Sequence, residues 1–128
     1  MRLRGRAIES LRLCHGGEAA IVCLTRKDFE DCRALPEHAE TLVNDALYIT
    51  GVKMAALLRE KEDGSVKGSL RAIEPMRVDR IAVSFGGGGH AQAAGCSMEG
   101  PLADACERIA QAILWHFGRG EKPDDFRP

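Results

Sequence analysis

The sequence is poor in aromatic residues and carries almost no net charge. Phe, Trp and Tyr together make up 5% of the 128 residues. A module that binds single-stranded nucleic acid by base stacking needs several exposed rings, so this composition argues against such a platform. The formal net charge of −1 provides no overall attraction for a polyanion. Any phosphate binding must therefore come from a local basic cluster, which favours a small or short ligand over a long duplex.

Long apolar runs and close groups of metal ligands are also missing. No segment approaches the ~20 consecutive apolar residues of a transmembrane helix, and no signal peptide is evident at the N-terminus. We therefore expect a cytoplasmic protein without a membrane partner. The aspartates are scattered, and no Asp-His-His, Asp-x-Asp or His-x-His grouping occurs. Because phosphodiester hydrolysis usually requires such a metal cluster, and because no triad is indicated, the sequence by itself predicts a binding domain.

The cysteines are odd in number, and no two of them form a Cys-x-x-Cys pair. This spacing indicates neither a zinc site nor a redox motif. Because most of them have apolar neighbours, we predict buried thiols in a reducing compartment. They are Cys14, Cys23, Cys32, Cys96 and Cys106.

The pattern of apolar residues predicts one α/β domain with a mixed β-sheet, including a hairpin, packed by helices. A chain of 128 residues is long enough for one core. Strands are predicted at 19–24, 53–61 and 66–72, the last two joined by an Asp-Gly turn. Helices are predicted after a capping box at Thr25, from Pro36 to Gly51, at 78–85, and from Pro101 to Gly118. Residues 3–13 are compatible with a strand or with the end of a helix.

A run of glycines at residues 86–89 is the most unusual feature of the sequence. Without Cβ atoms, such a run lets a ligand or another strand contact the main chain, and it can aim successive N–H groups at a phosphate. A flexible connector between two elements is about equally compatible with the glycines alone. His90 and the small residues after it favour function, because an imidazole can donate a hydrogen bond to a phosphate or hydroxyl. His15, His38 and His116 have no comparable neighbours and are interpreted as structural or exposed.

The strand at 66–72 presents Lys67, Ser69 and Arg71 on one face, because side chains alternate along a strand. Arg71 can bind a phosphate through two nitrogens, Ser69 adds a short donor, and Lys67 adds a point charge. A solvated strand face with ordinary surface cations is the alternative. A wider basic rim is also possible, and its candidates are Arg59, Arg77 and Arg80.

Together, VKGSLRA and VDRIAVSFGGGGHAQAAGC closely resemble the DHH-associated domain, the C-terminal substrate-binding domain of DHH-family phosphoesterases. The resemblance extends from about Leu3 to Phe117. It implies a substrate-binding domain at 1–118 whose first 13 residues resemble an interdomain linker, followed by a flexible tail at 119–128. The substrate-binding set that it implies consists of Lys67, Ser69, Arg71, Gly86, Gly87, Gly88, Gly89, His90 and Gly95.

The resemblance also implies a division of labour. In this family an N-terminal DHH domain holds two manganese ions, and the C-terminal domain presents the substrate to them. We therefore expect no catalytic residue, metal ligand or cofactor in this chain, manganese in a catalytic domain of the same polypeptide, and binding without turnover by the chain alone. Short oligoribonucleotides or nucleoside bisphosphates are the expected ligands, because the chain resembles the branch of oligoribonucleases that also dephosphorylate 3′-phosphoadenosine 5′-phosphate.

Other functions remain open at this point. The chain is also compatible with half of a cyclic-dinucleotide phosphodiesterase, a RecJ-type exonuclease, or a non-catalytic RNA- or tRNA-associated module. In the last case the glycines would serve packing alone, and Gly88→Ala would unfold the domain. The chain departs from its relatives at Ala91 and Gln92, where a basic residue often follows the motif histidine, and at Ala72, where a serine is common.

Overall fold

The computed structural model describes residues 2–117 and confirms an α/β domain built on one mixed sheet. The sheet has six strands in the order β1-β2-β3-β4-β6-β5. β2 and β3 are parallel, and the other neighbouring strands of this sheet are antiparallel. The elements are α1 (Leu3–Ser10), β1 (Arg12–Cys14), β2 (Ala19–Leu24), α2 (Arg26–Asp31), α3 (His38–Leu47), β3 (Met54–Glu60), β4 (Val66–Ala72), α4 (Asp79–Ser84), β5 (Gly88–His90), β6 (Ala93–Met98) and α5 (Leu102–His116).

The two faces of the sheet carry separate apolar cores. On one face α4 and α5 cover the sheet, and Leu58, Leu70 and Ile109 lie fully buried there. On the other face α1 and α3 cover β2 and β3, with Val43 and Leu57 among the buried residues. Alternation of side chains along the strands produces this division, because successive residues point to opposite faces.

Local signals place the elements of the first half of the chain well. Both strands of the predicted hairpin form, and β3 and β4 pair over their full length. The capping box is also confirmed: Thr25 accepts from the Asp28 N–H, and the Asp28 carboxylate accepts from the Thr25 N–H. The helix predicted to begin at Pro36 is α3, which begins at His38 instead. The sequence of residues 3–13 is compatible with a strand or with the end of a helix, and the structure has α1 there, followed by the start of β1.

The glycine run is not a plain turn, because β5 begins within it at Gly88. The preceding helix α4 ends in a Schellman arrangement, in which the Gly86 N–H donates to the Val83 carbonyl and the Gly87 N–H donates to the Ala82 carbonyl. This ending requires a positive φ, and Gly86 has a φ of +82°. β6 then returns antiparallel to β5, and the sequence pattern predicted neither strand.

The final helix α5 begins at Leu102, and the predicted apolar stripe packs into the core through Cys106, Ile109, Ala110 and Ile113. Gly118, predicted to end this helix, and the tail at 119–128 lie outside the described residues. None of the described helices is long and apolar enough to cross a membrane.

The prediction that most of the cysteines are buried thiols is wrong. Cys23 of β2 and Cys106 of α5 form a disulfide, although 83 positions separate them in the sequence. α5 packs against β2, and this long-range contact brings the two sulfurs together. Cys14, Cys32 and Cys96 are free, and Cys96 is the buried one among them.

We predict that Gly87→Ala destabilises the domain while Gly88→Ala does not. A Cβ at Gly87 would lie 2.0 Å from the Gly95 carbonyl oxygen, whereas a Cβ at Gly88 meets nothing within 4 Å. Because backbone blocks the first position, Gly87→Ala should lower the free energy of unfolding by about 1–3 kcal/mol. The change at Gly88 should stay within about 0.5 kcal/mol of the parent.

Urea denaturation of the parent and both variants measures this difference. Equal stabilities of the two variants would show that the strand contact at Gly87 is not as tight as the structure has it.

Candidate functional site

One part of the sheet surface is left without a helix. On the face that carries α1 and α3, the helices lie over β2, β3 and the adjoining edge of β4. The rest of that face, formed by β4, β6 and β5, presents small or polar residues, and we call it the open face. The residues on this face are Lys67, Ser69, Arg71, Gly88, His90, Ala93, Gly95 and Ser97, of which the two glycines contribute bare backbone.

Strand register aligns the predicted substrate residues in two rows across the open face. Ser69 pairs with Gly95, and Gly95 pairs with Gly88. Arg71 pairs with Ala93, and Ala93 pairs with His90. Because neighbouring strands lie about 4.8 Å apart, the backbones of Arg71 and His90 are separated by about 10 Å across a small alanine.

A shallow cleft of about 270 Å³ lies on the open face. It brings together six of the predicted residues, and the others, Gly86, Gly87 and His90, lie outside its lining. Gly86 and Gly87 serve the end of α4 and the contact with β6, and His90 is exposed at the end of β5. The lining consists of Glu40, Lys67, Ser69, Arg71, Gly88, Gly89, Ala93, Ala94 and Gly95.

Glu40 is the cleft residue that the sequence analysis missed. It lies in the first turn of α3, and each of its carboxylate oxygens accepts one hydrogen bond from β4. Ser69 Oγ donates to Oε1 at 3.3 Å, and Arg71 Nη2 donates to Oε2 at 2.5 Å. Arg71 also donates from Nη1 to the Leu70 carbonyl. Nothing in the helical pattern of α3 marks this glutamate, because its role depends on where α3 lies over the sheet.

The cleft has an asymmetric distribution of charge. The Arg71 side chain is 19% exposed and that of Glu40 is 53% exposed. Lys67 makes no ion pair with any residue in the described part of the chain, and its Nζ lies over Gly95, 3.2 Å from where a Cβ would stand. The ammonium of Lys67 is therefore available to an anionic ligand in the cleft.

Cys96 of β6 packs into the core under α4 and α5 and does not face the cleft. Burial raises the pKa of its thiol despite the nearby Lys67 charge, which disfavours the nucleophilic thiolate. Within residues 2–117, no group of three His, Cys, Asp or Glu side chains could hold a metal ion. Manganese in a catalytic domain stays a prediction.

The wider basic rim does not extend the cleft. Arg77 forms a two-point ion pair with Asp79 and thereby lowers the pKa of that carboxyl group. Arg80 belongs to α4, which covers the opposite face of the sheet. Arg59 lines a larger cavity of about 750 Å³ beside the β3–β4 turn. That cavity contains as many acidic as basic residues and none of the predicted substrate set, so the smaller cleft is the better candidate.

Comparison with known families identifies the domain. Residues 29–114 match the DHHA1 domain. The chain belongs to the DHHA1 domain family. The match includes β3, β4, the glycine segment and β6, which are the elements that build the open face.

The relatives of this chain are longer proteins. The chain is 33% identical over 113 residues to the bifunctional oligoribonuclease and PAP phosphatase NrnA of Thermus thermophilus. The aligned region covers 88% of this chain and 33% of NrnA. An exopolyphosphatase-related protein from Bacteroides fragilis superposes with a TM-score of 0.80 at 26% identity, over 90% of this chain and 34% of its own. The chain thus spans about a third of the length of these relatives.

A third protein shares the fold alone. A pGpG-specific phosphodiesterase from Vibrio cholerae superposes with a TM-score of 0.59 at 13% identity, over 92% of this chain and 38% of that protein.

Proposed function

We propose that this DHHA1 domain binds the phosphate of a short nucleotide in the cleft of its open face. It would serve as the substrate-binding part of a phosphoesterase that degrades very short oligoribonucleotides and dephosphorylates 3′-phosphoadenosine 5′-phosphate. The observation that carries the proposal is the convergence of Arg71, Ser69 and Lys67 on one cleft whose opposite side is glycine backbone.

The donors of β4 suit a phosphate group. The Arg71 guanidinium keeps N–H groups beyond those bound to Glu40 and Leu70, and Lys67 adds an ammonium that makes no ion pair with a described residue. The buried Ser69 hydroxyl has one hydrogen, which it donates to Glu40, so it reaches a phosphate only by giving up that bond. Hydrogen bonds to charged groups each contribute about 1.5–3 kcal/mol, so a few of them suffice to hold a small anion.

The glycine side of the cleft suits the rest of a nucleotide. Nothing lies within 4 Å of the position where a Cβ of Gly88 would stand, so a ligand can approach that backbone closely. His90 lies in the row of Arg71 but beyond Ala93, where it would contact a more distant part of the ligand, such as a second phosphate. This geometry favours a ligand with more than one contact point over a single phosphate ion.

The chain holds and orients the substrate in this proposal, while a catalytic DHH domain of the same polypeptide supplies the metal ions and the attacking water. A catalytic domain outside this chain fits the length of the relatives, which are about three times as long as this chain.

We predict that Arg71→Ala weakens binding of 3′-phosphoadenosine 5′-phosphate by at least about tenfold, because a charged hydrogen-bonding partner is lost. The slope of log affinity against log salt concentration should fall by about 1. Isothermal titration calorimetry at several salt concentrations measures both quantities. Arg80→Ala is the matched control, since this arginine is exposed on α4 and should leave affinity unchanged.

Amide chemical-shift mapping with the same ligand locates the site independently. Shifts should concentrate at β4, at Gly88 to His90 and at Gly95. A long RNA that binds more tightly than a dinucleotide would favour an RNA-associated module, and a preference for cyclic over linear dinucleotides would favour a cyclic-dinucleotide phosphodiesterase. Shifts confined to other surfaces would reject the cleft as the binding site.

We also predict that Gly88→Val blocks the cleft without loss of stability. The side chain enters open space, and valine suits a strand, so the free energy of unfolding should not fall. The added branched side chain occupies the space proposed for the nucleotide, so the affinity for 3′-phosphoadenosine 5′-phosphate should fall at least about tenfold. Unchanged affinity in a stable Gly88→Val variant would place the ligand elsewhere.

A further inference from the structure

A carboxylate in a cleft for phosphate needs an explanation. Glu40 contacts both Ser69 and Arg71, the same donors that are assigned to the phosphate. Like charges repel, so a phosphate beside Glu40 is disfavoured unless the carboxylate contributes something to the bound ligand.

The position of the Glu40 carboxylate is fixed from two sides. Its oxygens are held separately by Ser69 and Arg71, and α3 packs against β3 and β4 beneath it. About half of the side chain remains exposed. Each carboxylate oxygen has two lone pairs, so Glu40 retains acceptor capacity toward the cleft while both hydrogen bonds to β4 are in place.

An ionised carboxylate only accepts hydrogen bonds, so the ligand atom beside Glu40 must be a donor. The phosphodiester group of an oligonucleotide is fully ionised and offers no such donor, whereas its nucleosides offer sugar hydroxyls and base amino groups. Arg71 contacts both Glu40 and the proposed phosphate, so the donor must lie within a few bonds of the phosphorus. The sugar hydroxyls meet this condition, and the base amino group does not.

We propose that Glu40 accepts a hydrogen bond from a sugar hydroxyl and thereby makes the cleft select phosphate esters that carry such a hydroxyl beside the phosphate. This inference rests on the proposed function, because it assumes that Arg71 binds the phosphate. Glu40 then acts on specificity in two ways. Its negative charge disfavours an anion that has no hydroxyl to donate. Its free lone pairs favour a ligand whose hydroxyl lies next to the phosphate, because that hydroxyl can donate a hydrogen bond to them.

The test compares four ligands that differ by single groups. Adenosine 5′-phosphate carries both hydroxyls, its 2′-deoxy and 3′-deoxy analogues each lack one, and inosine 5′-phosphate lacks the base amino group. Affinities are measured by calorimetry for the parent, Glu40→Ala, Arg71→Ala and Glu37→Ala. Glu37 is the matched control, because it is an exposed carboxylate just before α3 and does not line the cleft.

In the parent and in Glu37→Ala, removing one of the two hydroxyls should weaken binding about tenfold, the effect of losing a hydrogen bond to a charged group. In Glu40→Ala this difference should shrink to less than about twofold. The same variant should bind inorganic pyrophosphate several-fold more tightly than the parent, because Arg71 and Ser69 are released and the repulsion is gone.

Several results would overturn the inference. One is a hydroxyl effect that survives in Glu40→Ala, and another is the absence of any hydroxyl effect in the parent. An equal gain in affinity for all ligands in Glu40→Ala would mean that Glu40 only competes with the phosphate for Arg71. A Glu40-dependent loss seen only with inosine 5′-phosphate would assign the contact to the base.

Failure of the proposed function gives a different pattern. In that case Arg71→Ala binds every ligand as tightly as the parent does, whatever the hydroxyl comparison shows. If the inference alone fails, Arg71→Ala still weakens the binding of all four ligands. The effect of removing a hydroxyl is then the same in the parent and in Glu40→Ala.

Discussion

The close backbone contact between β5 and β6 is the constraint on which the candidate site depends. It exists because the residue opposite Cys96 has no side chain: a Cβ at Gly87 would overlap the Gly95 carbonyl. The same segment supplies the positive φ that ends α4 at Gly86, so one run of glycines both stops a helix and starts an edge strand. Gly88 then faces the cleft with bare backbone. The glycines therefore differ in role although they are identical in the sequence, and only some of them are available to a ligand.

Two layers of helices of unequal extent create the open face. α4 and α5 cover one side of the sheet, while α1 and α3 cover only part of the other. An uncovered face of a sheet normally carries polar residues, and here Lys67, Ser69 and Arg71 alternate with the apolar or small residues Val66, Gly68, Leu70 and Ala72. The polar face thus follows from the same period of two that builds the core. Ser69 is itself buried against Glu40 of α3, so the candidate cleft lies where the cover of α3 ends.

Local patterns predicted much of this fold, and long-range contacts account for what they missed. The capping box at Thr25, the Asp-Gly turn and the apolar stripe of α5 are short-range signals, and the structure contains each of them. β5 and β6 are weak strands by composition, because glycine and alanine have low strand propensity and acquire their pairing from neighbours. Glu40 and the Cys23–Cys106 disulfide depend on where helices lie over the sheet, which no local pattern records.

The proposed preference for short anionic ligands rests on the charge of the cleft and not on that of the nearly neutral chain. Lys67 and Arg71 contribute two positive charges and Glu40 one negative charge, which leaves a single net positive charge in the cleft. The whole chain has a formal net charge of −1, so a long polyanion gains little from contacts outside the cleft. Screening over about 8–10 Å in physiological salt limits the attraction to groups that enter the cleft itself. Selection among ligands in the proposed site must then come from short-range hydrogen bonds. The Glu40 carboxylate lowers the affinity for an anion that cannot donate a hydrogen bond to it, and it raises the affinity for a ligand that can.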